Sequence, residues 1–312
     1  MKRKLLTAAI LFTALMAQAQ KSVTIVPNLK VGVQKIYVTK GEANAPGTAA
    51  ADVTGEITYK VTSKTSNGYQ IDMNSKTGKV DVTQMLQNMN TADIMKLLNS
   101  TNVELLTDKK GGLTGIKNAK ELTVKCGVIV DSLINTALNQ NAELKNNEMM
   151  QSFMQKATSS MKDMITEDYL LQTFIQTPSI TSLNGKPITD GMVDDGTYAQ
   201  LFKTKTTYSI LNGGKTIVLD TKADVDMHSM KAYMIKILSS IMPESVSKET
   251  NPDQLTTMVE KMISDGTLKM DMSRKATYDI GDDGWVKKLV MEMTLDTTSQ
   301  TSKVRQVTTL KD

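Results

Sequence analysis

The sequence predicts an α+β protein in which a curved, half-barrel-like antiparallel β-sheet is covered by blocks of α-helices. Polar and apolar residues alternate with a period of two in several runs, and tight turns connect these runs. Both features are typical of antiparallel strands. Runs with helical spacing are grouped between the strands, so the chain reads strands, helices, strands, helices, strands. This order favours an antiparallel sheet over alternating βαβ units.

The first half begins with an antiparallel meander. Strands are predicted at residues 22–26 and 31–40, and the clearest strand covers residues 53–62, where apolar and polar residues alternate without a break. Asn67 and Gly68 then mark a tight turn. The alternation continues over residues 69–73, which are therefore expected to form the returning strand.

The middle of the chain changes to helical spacing. Two short helices are predicted over residues 82–98, and a short hairpin over residues 103–116. Apolar residues then recur on one helix face over residues 122–137 and again over residues 150–164. Thr166 is placed to cap a third helix.

The second half repeats the strand theme. Strands are predicted near residues 198–210 and 217–227, followed by helices over residues 230–241 and 251–263. A hairpin and a final strand near residues 303–310 complete the chain.

The hairpin has the most regular pattern, because its apolar residues fall on even numbers before the turn and on odd numbers after it. A two-residue loop of Asp282 and Asp283 would place Met272 opposite Met293, and Trp285 at the start of the second strand. All apolar side chains would then share one face of the sheet.

The first nineteen residues resemble a secretory signal peptide. A basic start precedes an apolar stretch at residues 5–15 and a small-x-small site that ends at Ala19. We expect cleavage after Ala19 and export to the periplasm or beyond. No cysteine follows the apolar stretch, so a lipoprotein is not expected. The rest divides into an N-terminal meander with a helical block (residues 20–190) and a C-terminal sheet with a two-helix insertion (residues 191–312), in one continuous sheet or two domains.

Charge and motif content argue against several classes of function. Without the signal peptide, 34 Lys and Arg remain against 33 Asp and Glu, a net charge of +1 that gives no reason to expect nucleic-acid binding. His228 is the single histidine and Cys126 the single cysteine. Neither a metal site nor a nucleophile–base couple is therefore expected. No catalytic motif or cofactor fingerprint is present, so we expect no enzyme and no cofactor.

Three alternatives remain open at this stage. Asp220, Asp224 and Asp226 share the polar face of one strand and would support a hydrolase only if they converged with another acid in a cleft. Paired methionines in the hairpin could ligate copper through thioether sulfur, although no histidine supports that interpretation. The third alternative treats the same methionines as ordinary core residues, since methionine fills irregular apolar spaces well.

The methionine-rich face of the hairpin is the predicted ligand site. Arg274 is the one charge on this apolar face, where it marks either an exposed end of the sheet or a cavity mouth that meets an anionic head group. The residues predicted to line the cavity are Met270, Met272, Arg274, Trp285, Met291 and Met293.

Three segments carry a resemblance to a known group. They are residues 31–37 (VGVQKIY), residues 107–116 (TDKKGGLTGI) and the hairpin with ATYDI at residues 276–280 and Gly284 before Trp285. The chain resembles a family of uncharacterised exported bacterial proteins, themselves similar in outline to periplasmic lipoprotein-carrier half-barrels. The resemblance implies a strongly curved antiparallel sheet that encloses an apolar cavity for acyl chains.

The expected function is therefore non-catalytic: an exported protein that binds or carries a lipid or other apolar ligand between the sheet and the helices. The alternative is a structural or protein-interaction module of the cell envelope with a solid core. A cavity larger than a few waters would favour the first hypothesis. No transmembrane segment is expected.

Overall fold

A computed structural model describes most of the chain. The described residues are 21–44, 51–80, 101–140, 148–198, 202–225, 229–232, 235, 256–257, 260–261, 270–297 and 300–311. The predicted signal peptide, the helices over residues 82–98, most of the two helices over residues 230–263, Asp226 and His228 lie outside these ranges.

The described elements are thirteen strands and three α-helices. The strands of the first half are β1 (Ser22–Thr24), β2 (Gln34–Asn44), β3 (Ala51–Lys64), β4 (Gly68–Val80), β5 (Asn102–Asp108) and β6 (Leu113–Ile116). The helices follow as α1 (Ala119–Gln140), α2 (Glu148–Met164) and α3 (Glu167–Gln176). The remaining strands are β7 (Pro187–Thr189), β8 (Val193–Tyr198), β9 (Phe202–Leu211), β10 (Thr216–Val225), β11 (Met270–Ile280), β12 (Val286–Thr297) and β13 (Thr301–Leu310).

Eleven of these strands form one antiparallel sheet in the order β6-β5-β4-β3-β2-β13-β12-β11-β10-β9-β8. Each half of the chain is a meander of neighbouring strands, and β2 pairs with β13 to join the two halves into one continuous sheet. A second, two-stranded sheet pairs β1 with β7. Apart from the β2–β13 pair, every contact in the large sheet joins strands that are consecutive in sequence.

The prediction of an α+β fold with helices covering the sheet is wrong, because the protein is mainly β. The main core cluster contains side chains from both halves of the sheet, such as Val61 and Tyr278, together with Ile25, Leu183 and Ile188 from the segments around the small sheet. Of the described helices, only α1 places fully buried apolar side chains in this cluster, through Ala119 and Leu122. In the described part of the chain, the apolar face of the sheet is therefore buried mostly by side chains of the sheet itself and of the segments around the small sheet, while α3 adds partly buried residues.

The individual elements of the first half agree well with the sequence patterns. The hairpin predicted over residues 103–116 is β5 and β6, and the helices predicted over residues 122–137 and 150–164 are α1 and α2. Thr166 caps α3, where its hydroxyl accepts a hydrogen bond from the backbone N–H of Tyr169 at 3.1 Å. Local capping and periodicity were thus sufficient to locate these elements.

The register predicted for the late hairpin is wrong by two residues. Met272 lies opposite Leu295, and Arg274 lies opposite Met293. A bulge between Asp279 and Ile280 and a loop over residues 281–285, longer than the predicted two-residue turn, account for the shift. Because the shift is an even number of residues, the predicted faces are preserved.

The turn of this hairpin packs against the N-terminal segment. The backbone N–H of Asn28 donates to the carbonyl of Asp283 at 2.8 Å, and the indole N–H of Trp285 donates to the carbonyl of Asn28 at 3.4 Å. Gly284 has a φ of +77°, and a Cβ on it would lie 2.3 Å from the carbonyl oxygen of Val26. Glycine is therefore required here both by conformation and by space.

Helix α3 lies between the two edge strands of the large sheet. It contacts β6 at one edge, and it shares a cavity with Gly196 and Thr197 of β8 at the other. Helices α1 and α2 pack against each other, and the Lys162 ammonium forms an ion pair with Asp131 at 2.8 Å. Among the described helices, none combines the length and the hydropathy that a membrane crossing requires.

Candidate binding cavity

A row of polar side chains crosses the core-facing side of four neighbouring strands. Asp194 of β8 lies opposite Thr206 of β9, which lies opposite Thr221 of β10, which in turn lies opposite Arg274 of β11. The hydroxyl oxygens of Thr206 and Thr221 are 3.0 Å apart. We call these four residues the polar row. Polar side chains at core-facing positions point to a candidate binding site, because they give up contact with water there. Apolar side chains at such positions are expected in any core.

The polar row divides the apolar face of the sheet in two. Toward one end, Tyr208, Leu219 and Ala276 belong to the main core cluster. Toward the other end, Ala223 and Met272 pack with Phe202 in a small separate cluster. An uninterrupted apolar face would join the two clusters. The polar row is therefore a place where the side chains of the sheet do not contribute to the hydrophobic core.

A cavity of about 320 Å³ lies over the polar row. Its wall opposite the sheet is formed by the second half of α3 and by the loop that follows it, including Gln172, Gln176 and Ser182. Four apolar side chains, Ile175, Pro178, Leu183 and Leu219, also line it. The volume is at the lower end of the range of about 300–1,000 Å³ that is usual for small-molecule sites. The cavity is therefore lined by apolar side chains and by side chains that can form hydrogen bonds.

Lys186, Asp194 and Tyr208 form a closed triangle at one wall of this cavity. The Lys186 ammonium forms an ion pair with Asp194 and donates to the Tyr208 hydroxyl at 2.7 Å, while that hydroxyl donates to the Asp194 carboxylate at 3.0 Å. The ammonium also lies 4.7 Å from the centre of the Tyr208 ring. Each charge is thus neutralised within the triangle.

Burial and the contacts within the triangle together move all three pKa values away from neutrality. Burial by itself would lower the pKa of Lys186, but the hydrogen bonds to Asp194 and Tyr208 outweigh it and raise this pKa. Burial would raise the pKa of Asp194, but the Lys186 ammonium outweighs it and holds this pKa below its usual value. Burial raises the pKa of Tyr208. A general acid or base works best with a pKa near the operating pH, so this triangle is suited to charge pairing rather than to proton transfer.

Arg274 connects the polar row to α3. Its guanidinium donates from Nη2 to the carbonyl oxygen of Gln176, the last residue of α3, at 3.1 Å. A cation at a helix C-terminus is stabilised by the partial negative charge of the terminal carbonyl groups. Nearby, the hydroxyls of Ser182 and Tyr278 are 2.9 Å apart, and burial raises the pKa of Tyr278. Arg274 therefore helps to position the cavity wall and also lines the cavity.

The structure places the predicted site residues at different points of the sheet. Among those whose side chains it describes, Arg274 alone lines the cavity over the polar row. Met272 is buried in the small cluster with Met293 packed against it, and Trp285 is buried in the main cluster near the N-terminal segment. Met291 is half-buried opposite Ala276, and the backbone of Met270 pairs with Thr297 at the start of β11. Met272, Met291 and Met293 thus lie along the apolar face without forming the wall of this cavity.

The carboxylates considered for a hydrolase face the other way. Asp220 and Asp224 are exposed, and they lie opposite Lys275 and Lys203 on neighbouring strands. This is a cross-strand charge pattern of a solvated face. In the described part of the chain, no group of three or more His, Cys, Asp or Glu side chains is arranged to hold a metal ion.

Sequence reasoning missed most of the cavity, although the signal was present. It identified Arg274 as a charge on the apolar parity, but Thr206 and Thr221 interrupt the same alternation in β9 and β10. The observed register, with residues 212–215 between β9 and β10, places these two threonines opposite each other. Lys186 and Asp194 carried no comparable signal, because they lie in a long connection and in a short edge strand.

A second cavity of about 380 Å³ adjoins the first along α3. Gln172, Gln176 and Thr197 line both. The remaining wall of the second cavity is polar and includes Thr166, Asp168, Tyr169 and Thr173. The two cavities therefore adjoin each other between α3 and the edge of the sheet, and we call them together the groove.

Comparison with protein-family models and with curated protein sequences gives no match. Among solved structures, Rv2717c from M. tuberculosis is 6% identical over 90% of this chain and 92% of its own, with a TM-score of 0.24. A porin-like protein from Bacteroides uniformis ATCC 8492 is 9% identical over 92% of this chain and 98% of its own, with a TM-score of 0.18. Both TM-scores fall well below 0.5, so neither structure informs the fold or the function of this chain. The resemblance to uncharacterised exported proteins stays a prediction.

Proposed function

We propose that this chain is an exported, non-catalytic protein that binds a small amphiphilic ligand in the cavity over the polar row. The observation that carries the proposal is the row itself, four polar side chains aligned across four strands at core-facing positions. A ligand with a hydrogen-bonding part can add to the interactions that these groups already make, because hydroxyl, carboxylate and guanidinium groups each take part in more than one hydrogen bond.

The lining supports an amphiphile rather than a purely apolar ligand. Leu183 and Leu219 offer apolar contact, while Thr206, Thr221 and Arg274 offer hydroxyl and guanidinium groups. A ligand that was apolar throughout would displace water from the polar row without offering it any hydrogen bond in exchange. The ligand class suggested by the methionine-rich face is therefore refined to one that carries a polar group.

The chemistry of the site supports binding without catalysis. The charged and hydroxyl groups nearest the cavity are paired with one another in the triangle of Lys186, Asp194 and Tyr208. Their pKa values are displaced away from neutrality, which disfavours their use as a nucleophile, acid or base. The size of the cavity also favours a binding protein over a module with a solid core.

Mass spectrometry of the mature protein tests the proposal. The protein is purified gently from the compartment to which it is exported. Native spectra should show an added mass, and denaturing spectra should release it as a small molecule. The Thr221→Val variant removes one hydroxyl from the row at constant shape and should lose most of the bound molecule while remaining folded.

Arginine variants supply a matched control. Arg274→Met should reduce the bound fraction, whereas Arg305→Met should leave it unchanged, since Arg305 is exposed and lies 3.5 Å from Glu292 away from the cavity. A bare native mass for the wild-type protein, together with no uptake of any added amphiphile, would contradict the proposal.

A further inference from the structure

We infer that the polar part of the ligand is a saccharide, held along the groove that the two adjoining cavities form between α3 and the edge strand β8. This inference rests on the proposed function and specifies its ligand class. It depends on three observations: the kind of polar groups that line the groove, the charge balance of its lining, and the volumes of the two adjoining cavities.

The groove is lined mainly by groups that both donate and accept hydrogen bonds. Gln172, Gln176 and Thr197 line both cavities, and Thr166, Thr173 and Tyr169 continue the wall of the outer one. Hydroxyl and carboxamide groups offer a donor and an acceptor within one side chain. A saccharide presents a series of hydroxyls with the same dual character, so each ligand hydroxyl can meet a matching partner.

The charge balance disfavours strongly charged ligands. The Lys186 ammonium and the Asp194 carboxylate neutralise each other, and the Arg274 guanidinium is bonded to the C-terminal carbonyl of α3. A purely anionic head group would have to compete with Asp194 and with the helix end for these cations. Two further carboxylates also line the cavities, Asp195 in the inner one and Asp168 in the outer one. A neutral polyol can accept hydrogen bonds from the guanidinium without breaking the ion pair.

The volumes of the two adjoining cavities favour more than a single small head group. The inner cavity is about 320 Å³ and the outer one about 380 Å³, and they meet at three shared residues. The apolar side chains Pro178, Leu183 and Leu219 lie only in the inner cavity. The outer cavity therefore suits the sugar, and the inner one suits the less polar end of the same molecule.

Calorimetric titration of the mature protein tests this assignment with four probes. Three are amphiphiles used below their critical micelle concentrations, namely octyl β-glucoside, decyl β-maltoside and decanoate, and the fourth is the free sugar maltotriose. An alkyl glycoside should bind at least about tenfold more tightly than decanoate, because one or two additional satisfied hydrogen bonds correspond to that ratio. Maltotriose that binds as tightly as decyl maltoside would also support the saccharide and would identify its source as a free sugar rather than a glycolipid.

Variants assign the binding to the groove. Gln172→Leu and Thr197→Val alter the two walls and should weaken glycoside binding by about three- to tenfold each. Gln34→Leu is the matched control, since Gln34 is exposed at the start of β2 and lines neither cavity.

The failures are distinguishable. Decanoate that binds more tightly than every sugar-bearing probe, and that is lost in Thr221→Val, would overturn the saccharide while leaving the proposed cavity in place. Glycoside binding that Gln172→Leu and Thr197→Val both leave unchanged would overturn the assignment to the groove. If none of the probes binds, both the inference and the proposed function fail.

Discussion

Replacement of Gly284 by alanine should destabilise the protein far more than the same change at an open glycine. Gly284 has a φ of +77° in the turn before Trp285, and an added Cβ would lie 2.3 Å from the carbonyl oxygen of Val26 and 2.9 Å from Cα of Pro27. These contacts are with backbone atoms, which cannot rotate away. The N-terminal segment would have to move off the turn.

The magnitude follows from two contributions. The left-handed conformation costs a residue with a Cβ about 1–2 kcal/mol. Displacement of the segment also breaks the hydrogen bond from Asn28 N–H to the Asp283 carbonyl, which contributes about 0.5–1.5 kcal/mol. Partial exposure of Trp285 adds to this loss, so we expect about 2–4 kcal/mol for Gly284→Ala in all.

Gly213→Ala is the matched control. Gly213 has a φ of +66°, but no heavy atom lies within 4 Å of its added Cβ. Only the conformational cost of about 1–2 kcal/mol should therefore apply. Urea unfolding, followed by circular dichroism and by the fluorescence of Trp285, the single tryptophan of the chain, measures both variants. Equal losses of unfolding free energy in the two variants would refute the close approach between the turn and the N-terminal segment.

Three further predictions concern buried or paired polar groups. Tyr37→Phe removes a buried hydroxyl that donates to the Val286 carbonyl at 2.9 Å, so its unfolding free energy should fall by about 1–3 kcal/mol, and an unchanged value would contradict the bond. Asp108→Ala removes the carboxylate oxygen that accepts from the N–H groups of Lys110 and Gly112 at 2.7 and 2.8 Å; it should cost about 1–2 kcal/mol in urea unfolding, whereas Asp108→Asn should retain much of that stability. The depressed pKa of Asp194 predicts stability that is present above the unfolded carboxyl pKa of about 3.9 and lost as the pH falls through the folded value. The difference between wild type and Asp194→Asn in thermal unfolding should accordingly be larger at pH 7 than at pH 3, and a constant difference would refute this linkage.

The sequence was sufficient for features that depend on neighbouring residues. Period-two alternation located the strands of the meander, and the Asn67-Gly68 pair located the turn that joins β3 to β4. Thr166 identified the start of α3, because a cap is a contact between residues only a few positions apart. The faces of the late hairpin were also correct, since an error of two residues in register leaves parity unchanged.

The fold class could not be obtained in the same way. Helical spacing correctly indicated α1 and α2, but it did not show that these helices would pack mainly against each other. The choice between a sheet covered by helices and a sheet that buries its face against itself depends on curvature and on the pairing of β2 with β13. These strands are separated by most of the chain, and no local pattern encodes their pairing.

The candidate site divides along the same line. The sequence by itself determined that Arg274 stands on the apolar parity of its strand, because side-chain direction along a strand follows from the backbone alone. Only the tertiary structure decided that Asp194, Thr206, Thr221 and Arg274 form one row, since a row across strands depends on three separate registers. It also decided that α3 lies over that row. Long-range packing therefore determined where the cavity lies, because its walls come from strands and a helix that are distant in sequence.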